Sequence, residues 1–332
     1  MIAARPVRTP PRADVRRRLG VILGLSCGAG VAVQARINGD LGDRLNDGIA
    51  AAVISFGSGL VVLLIACCCS GRMRAGLGAI RRAVRTGPLR WWQLLGGLCG
   101  AFFVATQGLS VATIGVTAFT IAVVAGQLTS GLVVDRLGVG PAGVTLVTPV
   151  RFGAAALAIG AVGIAALGRS GGASGTAGGA AYLLIVLPAL AGLGLAWQQA
   201  VNGRIGTVGG PLSATTINFA AGTAGLLVVE VVQIARIGWP TRFPTEPWLY
   251  AGGVIGVFFI AVAALIVRWI GVLVFGLTSV SGQLAASVIL DVVLSAGPGL
   301  SAGAVIGCAL TLVAAAIAVF RKPESASRPE RA

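Results

Sequence analysis

Two glutamines sit where a glutamine is costly. Gln127 and Gln283 each lie near the middle of an apolar run, among small or aliphatic neighbours. A carboxamide in hydrocarbon costs roughly 2–7 kcal/mol unless it is bonded or wet. It also offers donors and acceptors together, so it suits polar groups of a solute. The chemistry indicated is therefore binding along a path. The competing reading is an interhelical amide bond that glues two spans, worth about 1 kcal/mol.

Two further pairs share the pattern. Gln34 with Asn38, and Gln198 with Asn202, are spaced i, i+4 and so share one helical face. They suit a pair of matching gates. Asn-Gly at 38–39 and 202–203 also reads as a helix stop, since Asn tolerates a left-handed conformation. Ser55 and Asn218 stand beside Phe56 and Phe219 and are candidates to line the path or to bond neighbouring helices.

Acidic groups are few. Asp135 and Asp291 follow the paired glutamines by eight residues, about 12 Å along a helix. Each reads as a coupling carboxylate or as the charge that ends a span. Arg136 and Arg151 are partner candidates for Asp135, and no partner is evident for Asp291. Glu230 sits in Leu-Leu-Val-Val-Glu-Val-Val. It reads as a proton site, or as a side chain that snorkels to the interface.

These residues come in twos because the chain repeats itself. Ile114-Gly115-Val116, Phe119, Gly126-Gln127-Leu128 and Asp135 return as Ile270-Gly271-Val272, Phe275, Gly282-Gln283-Leu284 and Asp291. Gly96-Gly97, Gly100 and Phe102-Phe103 return as Gly252-Gly253, Gly256 and Phe258-Phe259. Repeats of this kind place a path between two copies of one unit.

The elements that must hold these residues are membrane helices. The chain is 56% apolar and 11% charged, against roughly 25% charge in a soluble protein. Mean hydropathy is +0.93. Several apolar runs reach the roughly 20 residues needed to cross hydrocarbon. Ten spans are expected: 19–37, 48–70, 91–111, 113–134, 149–168, 180–200, 212–235, 247–267, 270–292 and 300–320. Residues 1–18 form a basic tail, 19–168 and 180–320 the two five-span repeats, 169–179 a Gly/Ser-rich linker, and 321–332 a second tail. The fold class is all-α integral membrane. An odd number of spans per copy requires the copies to be inverted.

Net charge is +15, but its placement argues for a membrane and against nucleic acid. Arginines crowd the N-terminal tail and the 71–90 loop, the positive-inside pattern. Both termini are then cytoplasmic. The first span resembles a signal peptide, but its repeat mate lies deep in the chain, so it is read as retained. The chain has no histidine, which removes His-metal sites and Ser-His-Asp catalysis. Successive thiols of Cys67-Cys68-Cys69 point about 100° apart on a helix and cannot share a metal. No metal, cofactor or enzymatic site is expected. No phosphate-binding Gly-x-x-x-x-Gly-Lys loop exists, so any transport draws on a gradient.

The residues Gln34, Asn38-Gly39, Ser55-Phe56-Gly57-Ser58-Gly59, Gly126-Gln127, Asp135-Arg136-Leu137-Gly138, Arg151 and Gly153 resemble the YdcZ-type inner-membrane exporters of the drug/metabolite transporter superfamily. The likeness covers about 18–320 as a fused double copy. It implies ten helices, alternating access and small organic solutes as cargo. Family members also occur as single units that pair, so a homodimer is one open arrangement. Two departures stand out. Asp291-Val292-Val293-Leu294 replaces the Asp-Arg-Leu-Gly of the first copy. The glutamate that small multidrug exporters carry in their first span is absent here, which puts that form of proton antiport in doubt. The leading expectation is an exporter of small metabolites in the inner membrane. The alternative is a non-transporting membrane scaffold or accessory subunit.

Overall fold

The computed structural model describes residues 11–140, 178–240, 242–294 and 302–320, with isolated positions between 144 and 164. Among them every regular element is helical. Lipid favours that choice, because a helix satisfies its own backbone groups where no water can. The elements are α1 (Pro11–Leu45), α2 (Gly48–Cys69), α3 (Gly71–Thr86), α4 (Gly97–Leu137), α5 (Gly178–Gly209), α6 (Pro211–Ile237), α7 (Gly252–Val293) and α8 (Ala302–Phe320). Short 3-10 turns at Trp91–Gly96 and Pro247–Tyr250 lead into α4 and α7. Five stretches of the described residues are long and apolar enough to cross a membrane.

α1 begins at Pro11, inside the basic tail, and α5 at Gly178, inside the expected linker. The 71–90 segment is more than a charged loop. Met73, Gly76, Ile80 and Ala83 form a buried stripe at helical spacing, and the arginines of α3 point away from it. The stripe packs on the start of α6, where Ser213 Oγ donates to the Met73 carbonyl at 3.1 Å. Gly87, at φ 94°, closes α3 in the left-handed region.

α4 is a hairpin. Phe103 and Phe119 would lie about 24 Å apart on a straight helix, yet their ring centroids are 5.8 Å apart. The reversal falls at Gly115, whose φ of 78° and ψ of 160° suit glycine alone. α7 doubles back as well: Gly28 of α1 abuts Ser279 and Gln283, while Gly30 abuts Phe259.

The first helix of each copy packs on the hairpin of the other, α1 on α7 and α5 on α4. Matched glycines set these approaches. A Cβ at Gly28 would overlap the Ser279 carbonyl, and one at Gly192 the Val123 carbonyl. Such contacts let backbones meet where lipid supplies no hydrophobic drive between helices. α2 and α6 cross at the centre, where the Phe56 and Phe219 rings stand 4.9 Å apart. Both rings are buried in the main core with Phe103, Val111 and Phe119.

Candidate functional site: two polar clusters in an apolar bundle

The first cluster gathers Gln34 and Asn38 of α1, Ser55 of α2 and Gln107 of α4 around the start of α7. Gln34 Nε2 donates to the Gly252 carbonyl at 2.9 Å. Asn38 Nδ2 donates to Gln107 Oε1 at 2.6 Å. Gly252 and Gly256 leave room for these side chains: a Cβ at 252 would strike Asn38 Oδ1, and one at 256 would strike Gln34 Nε2. The cluster is sealed, with Asn38 and Gln107 at 0% exposure and Ser55 at 2%. Asn38 Oδ1, Gln107 Nε2, Ser55 Oγ and the nearby Ser110 Oγ are buried and have no hydrogen-bond partner among the described residues. Bonding capacity left unused in an apolar bundle is costly.

The second cluster is the counterpart from the other copy. Gln198 Nε2 and Asn202 Nδ2 both donate to Asn218 Oδ1, at 2.8 and 2.9 Å. Gly96 and Gly100 of the first copy lie against Asn202 and Gln198, as Gly252 and Gly256 lie against Asn38 and Gln34. The clusters occupy different ends of the bundle. Asn38 is six residues from Arg44, which pairs with Glu246. Asn202 is seven residues from Gly209, which abuts Gly76 and Ile80 of α3.

The two are not identical. Asn218 is long enough to bridge Gln198 and Asn202 itself, whereas its mate Ser55 is not. Asn38 reaches Gln107 instead, and the repeat mate of Gln107 is Ala263. Sequence reasoning missed Gln107 because it has no twin. The one available signal was a lone amide inside an apolar run.

Gln127 and Gln283 lie at the two interlocked crossings: Gly192 abuts the backbone of Gln127, and Gly28 that of Gln283. Gln127 is half-buried and Gln283 is 7% exposed. Neither side chain hydrogen-bonds to a described residue. They do not join the two clusters.

Asp291 has a partner that the sequence concealed. Its carboxylate accepts from Val116 N at 3.0 Å and Thr117 N at 2.8 Å, beside Gly115. It thus caps the second arm of the α4 hairpin from 174 residues away. A carboxylate suits the positive end of a helix dipole. Asp135 is helical, but its side chain lies outside the described residues, as does Arg151 altogether. Glu230 is 7% exposed. Among the described residues no group of His, Cys, Asp or Glu could hold a metal. A cavity of about 500 Å³ opens at the α3 end, lined by Arg90, Trp92, Gln93 and Arg204 among others.

Apolar spanning helices, tight glycine crossings and twinned buried amides define a polytopic helical membrane protein. The model of the family described as "Putative inner membrane exporter, YdcZ" matches residues 19–164 and 183–317. The chain belongs to that family, of the drug/metabolite transporter type, and carries its unit in two regions. No curated protein matches the chain. One crystal structure, described only as "Crystal structure of protein", is similar over 93% of this chain and 98% of its own, at 19% identity and a TM-score of 0.50. At that identity the likeness speaks for the fold alone.

Proposed function

We propose that the protein is a secondary transporter that exports small organic solutes by alternating access between two inverted five-helix halves. Membership in an exporter family supports transport in general. The observation that carries the finer reading is the pair of amide clusters. Equivalent residues of the two copies build them at different ends of one bundle, each against the hairpin start of the opposite copy. A solute moving between them would meet Gln127 and Gln283 at the crossings. The unsatisfied atoms of Asn38, Gln107 and Ser55 favour cargo with both donors and acceptors.

The α3 end, with Arg72, Arg74, Arg81, Arg82, Arg85, Arg90 and Arg204, faces the cytoplasm on this reading. The end with Asp43, Asp47 and Glu246 faces outward. The arginine-lined cavity is then a cytoplasmic vestibule.

Spin labels in lipid test the motion, in a background without the six native cysteines. One pair at Asp43 and Arg242 reports the outer end; another at Arg85 and Arg204 reports the inner. All four side chains are exposed. Two distance populations at each end, shifting in opposite senses, are expected. One narrow distribution at both ends would overturn alternating access.

A further inference from the structure

The repeat reverses charge at two of its paired positions. Arg90 and Glu246 are sequence mates, each standing just before the 3-10 turn that leads into a hairpin. Arg204 and Asp40 are mates as well, each two residues after the Asn of its Gln–Asn pair. At one end of the bundle the protein neutralises both acids itself. Arg36 pairs with Asp40 at 3.0 Å, and Arg44 pairs with Glu246. Arg44 also lies over the Trp248 ring, 5.9 Å from its centroid. At the α3 end the mates of those two arginines are Ala200 and Val208, which supply no opposite charge. Among the described residues neither Arg90 nor Arg204 has an ion pair, and neither guanidinium donates a hydrogen bond.

Both arginines instead line the cavity of about 500 Å³, within the ~300–1,000 Å³ of small-ligand sites. Trp92, the mate of Trp248, stacks on Trp197 of α5 with ring centroids 6.1 Å apart and forms one wall. Gln93 forms another. Its Oε1 accepts from Arg90 N at 2.9 Å, which fixes the amide and leaves Nε2 as a donor. No lining residue is acidic. The C-terminal ends of α3 and α4 border the cavity, at Gly87 and Leu137. Their partial charges, about half an electron each, fall short of two full positive charges.

The walls also narrow the kind of anion. A guanidinium presents a planar fork that matches phosphate oxygens. Leu137 lines the same cavity and is exposed, and Val133, one turn earlier on α4, is exposed on the same face. The polar floor thus borders an apolar stripe on a spanning helix. Trp91 is exposed beside it, where indole rings mark the headgroup level. Charged floor and apolar rim together suit an amphiphile.

We propose that this cavity binds a phosphate group, presented by an anionic phospholipid whose chains run along Val133 and Leu137. The phosphate does for Arg90 and Arg204 what Arg36 and Arg44 do for Asp40 and Glu246. It ties the turn before α4 to α5, two elements from opposite copies. The other end has no equivalent site, because its acids are already paired. Assignment to the cytoplasmic leaflet rests on the orientation given above; the binding itself does not.

The test is native mass spectrometry of the full chain released from a neutral detergent, with phosphatidylglycerol, phosphatidylcholine or glycerol phosphate added. One phosphatidylglycerol should be retained per chain at concentrations where phosphatidylcholine is not. The Arg90→Gln/Arg204→Gln variant should bind it about tenfold or more weakly, as loss of charge-assisted contacts does. Arg81→Gln/Arg82→Gln, on the exposed face of α3, should bind it as the wild type does. Equal retention of the two lipids, or equal binding by wild type and the Arg90/Arg204 variant, would overturn the site. Glycerol phosphate bound as tightly as the lipid would assign the cavity to a soluble phosphoester and overturn the lipid. If the double variant does not fold, unchanged binding in both single variants would overturn the site equally. No flux is measured, so failure here leaves transport standing, and failure to find cargo leaves the lipid site standing.

Discussion

Asp291 shows how one side chain can hold a hairpin that its own neighbours cannot explain. It replaces intrahelical bonds that Val116 and Thr117 lack after the break at Gly115. Asp291→Ala leaves two amides without acceptors, at a cost of roughly 1–3 kcal/mol. A lower thermal-unfolding midpoint in detergent is the expected result, with Asp291→Asn falling between the two. In the repeat, Asp135 and Gly271 are the sequence mates of Asp291 and Gly115. The same loss in Asp135→Ala would show that the cap is twinned; an unchanged midpoint would confine it to the first hairpin. Gln107 is the other residue of weight. Gln107→Leu frees Asn38 of its partner and should lower flux more than a leucine at position 263, where the second copy has only alanine.

At the scale of helices, the small residues decide what can pack. Gly28→Val and Gly192→Val place a side chain where a carbonyl already sits. Each should cost roughly 1–3 kcal/mol, typical of overpacking, and lower the folded fraction in membranes. Gly78→Ala is the matched control. Nothing lies within 4 Å of a Cβ there, and alanine in a helix gains roughly 0.5–1 kcal/mol over glycine. A Gly28→Val protein as abundant and as heat-stable as wild type would refute the close crossing of α1 and α7. These crossings were legible in part. The recurring Gly96, Gly100, Gly252 and Gly256 announced a shared packing role, and they do receive the amides of the opposite copy. α3 was also within reach, since Met73, Gly76, Ile80 and Ala83 keep helical spacing. The density of arginine around them masked that period.

Across the whole molecule, the repeat was the part of the architecture that sequence carried best. Residues twinned in sequence make twinned contacts: Phe56 with Phe219, Gln34 and Gln198 against opposite hairpins. What sequence did not carry are the contacts made once. Asn38 with Gln107, Asp291 with the α4 break and Asp47 with Gln233 join residues 69 to 186 positions apart. No periodicity encodes such meetings; they exist only after the helices have packed. The exposed Arg44–Glu246 pair joins α1 to the turn before α7. The hydrogen bond from Arg44 holds the Glu246 carboxyl below its usual range. That pair is present above the ordinary glutamate pKa and is lost as pH falls through the depressed one. It should contribute little, as exposed pairs do.

The most direct measurement compares the solutes outside cells that overexpress the protein with those outside cells that express a Gln127→Leu/Gln283→Leu double variant at equal membrane level. The account predicts at least one small polar solute enriched outside with the wild type and at background with the variant. Equal enrichment with both would contradict the path through the paired glutamines. No enrichment with either, together with unaltered uptake of the same solutes, would contradict transport itself.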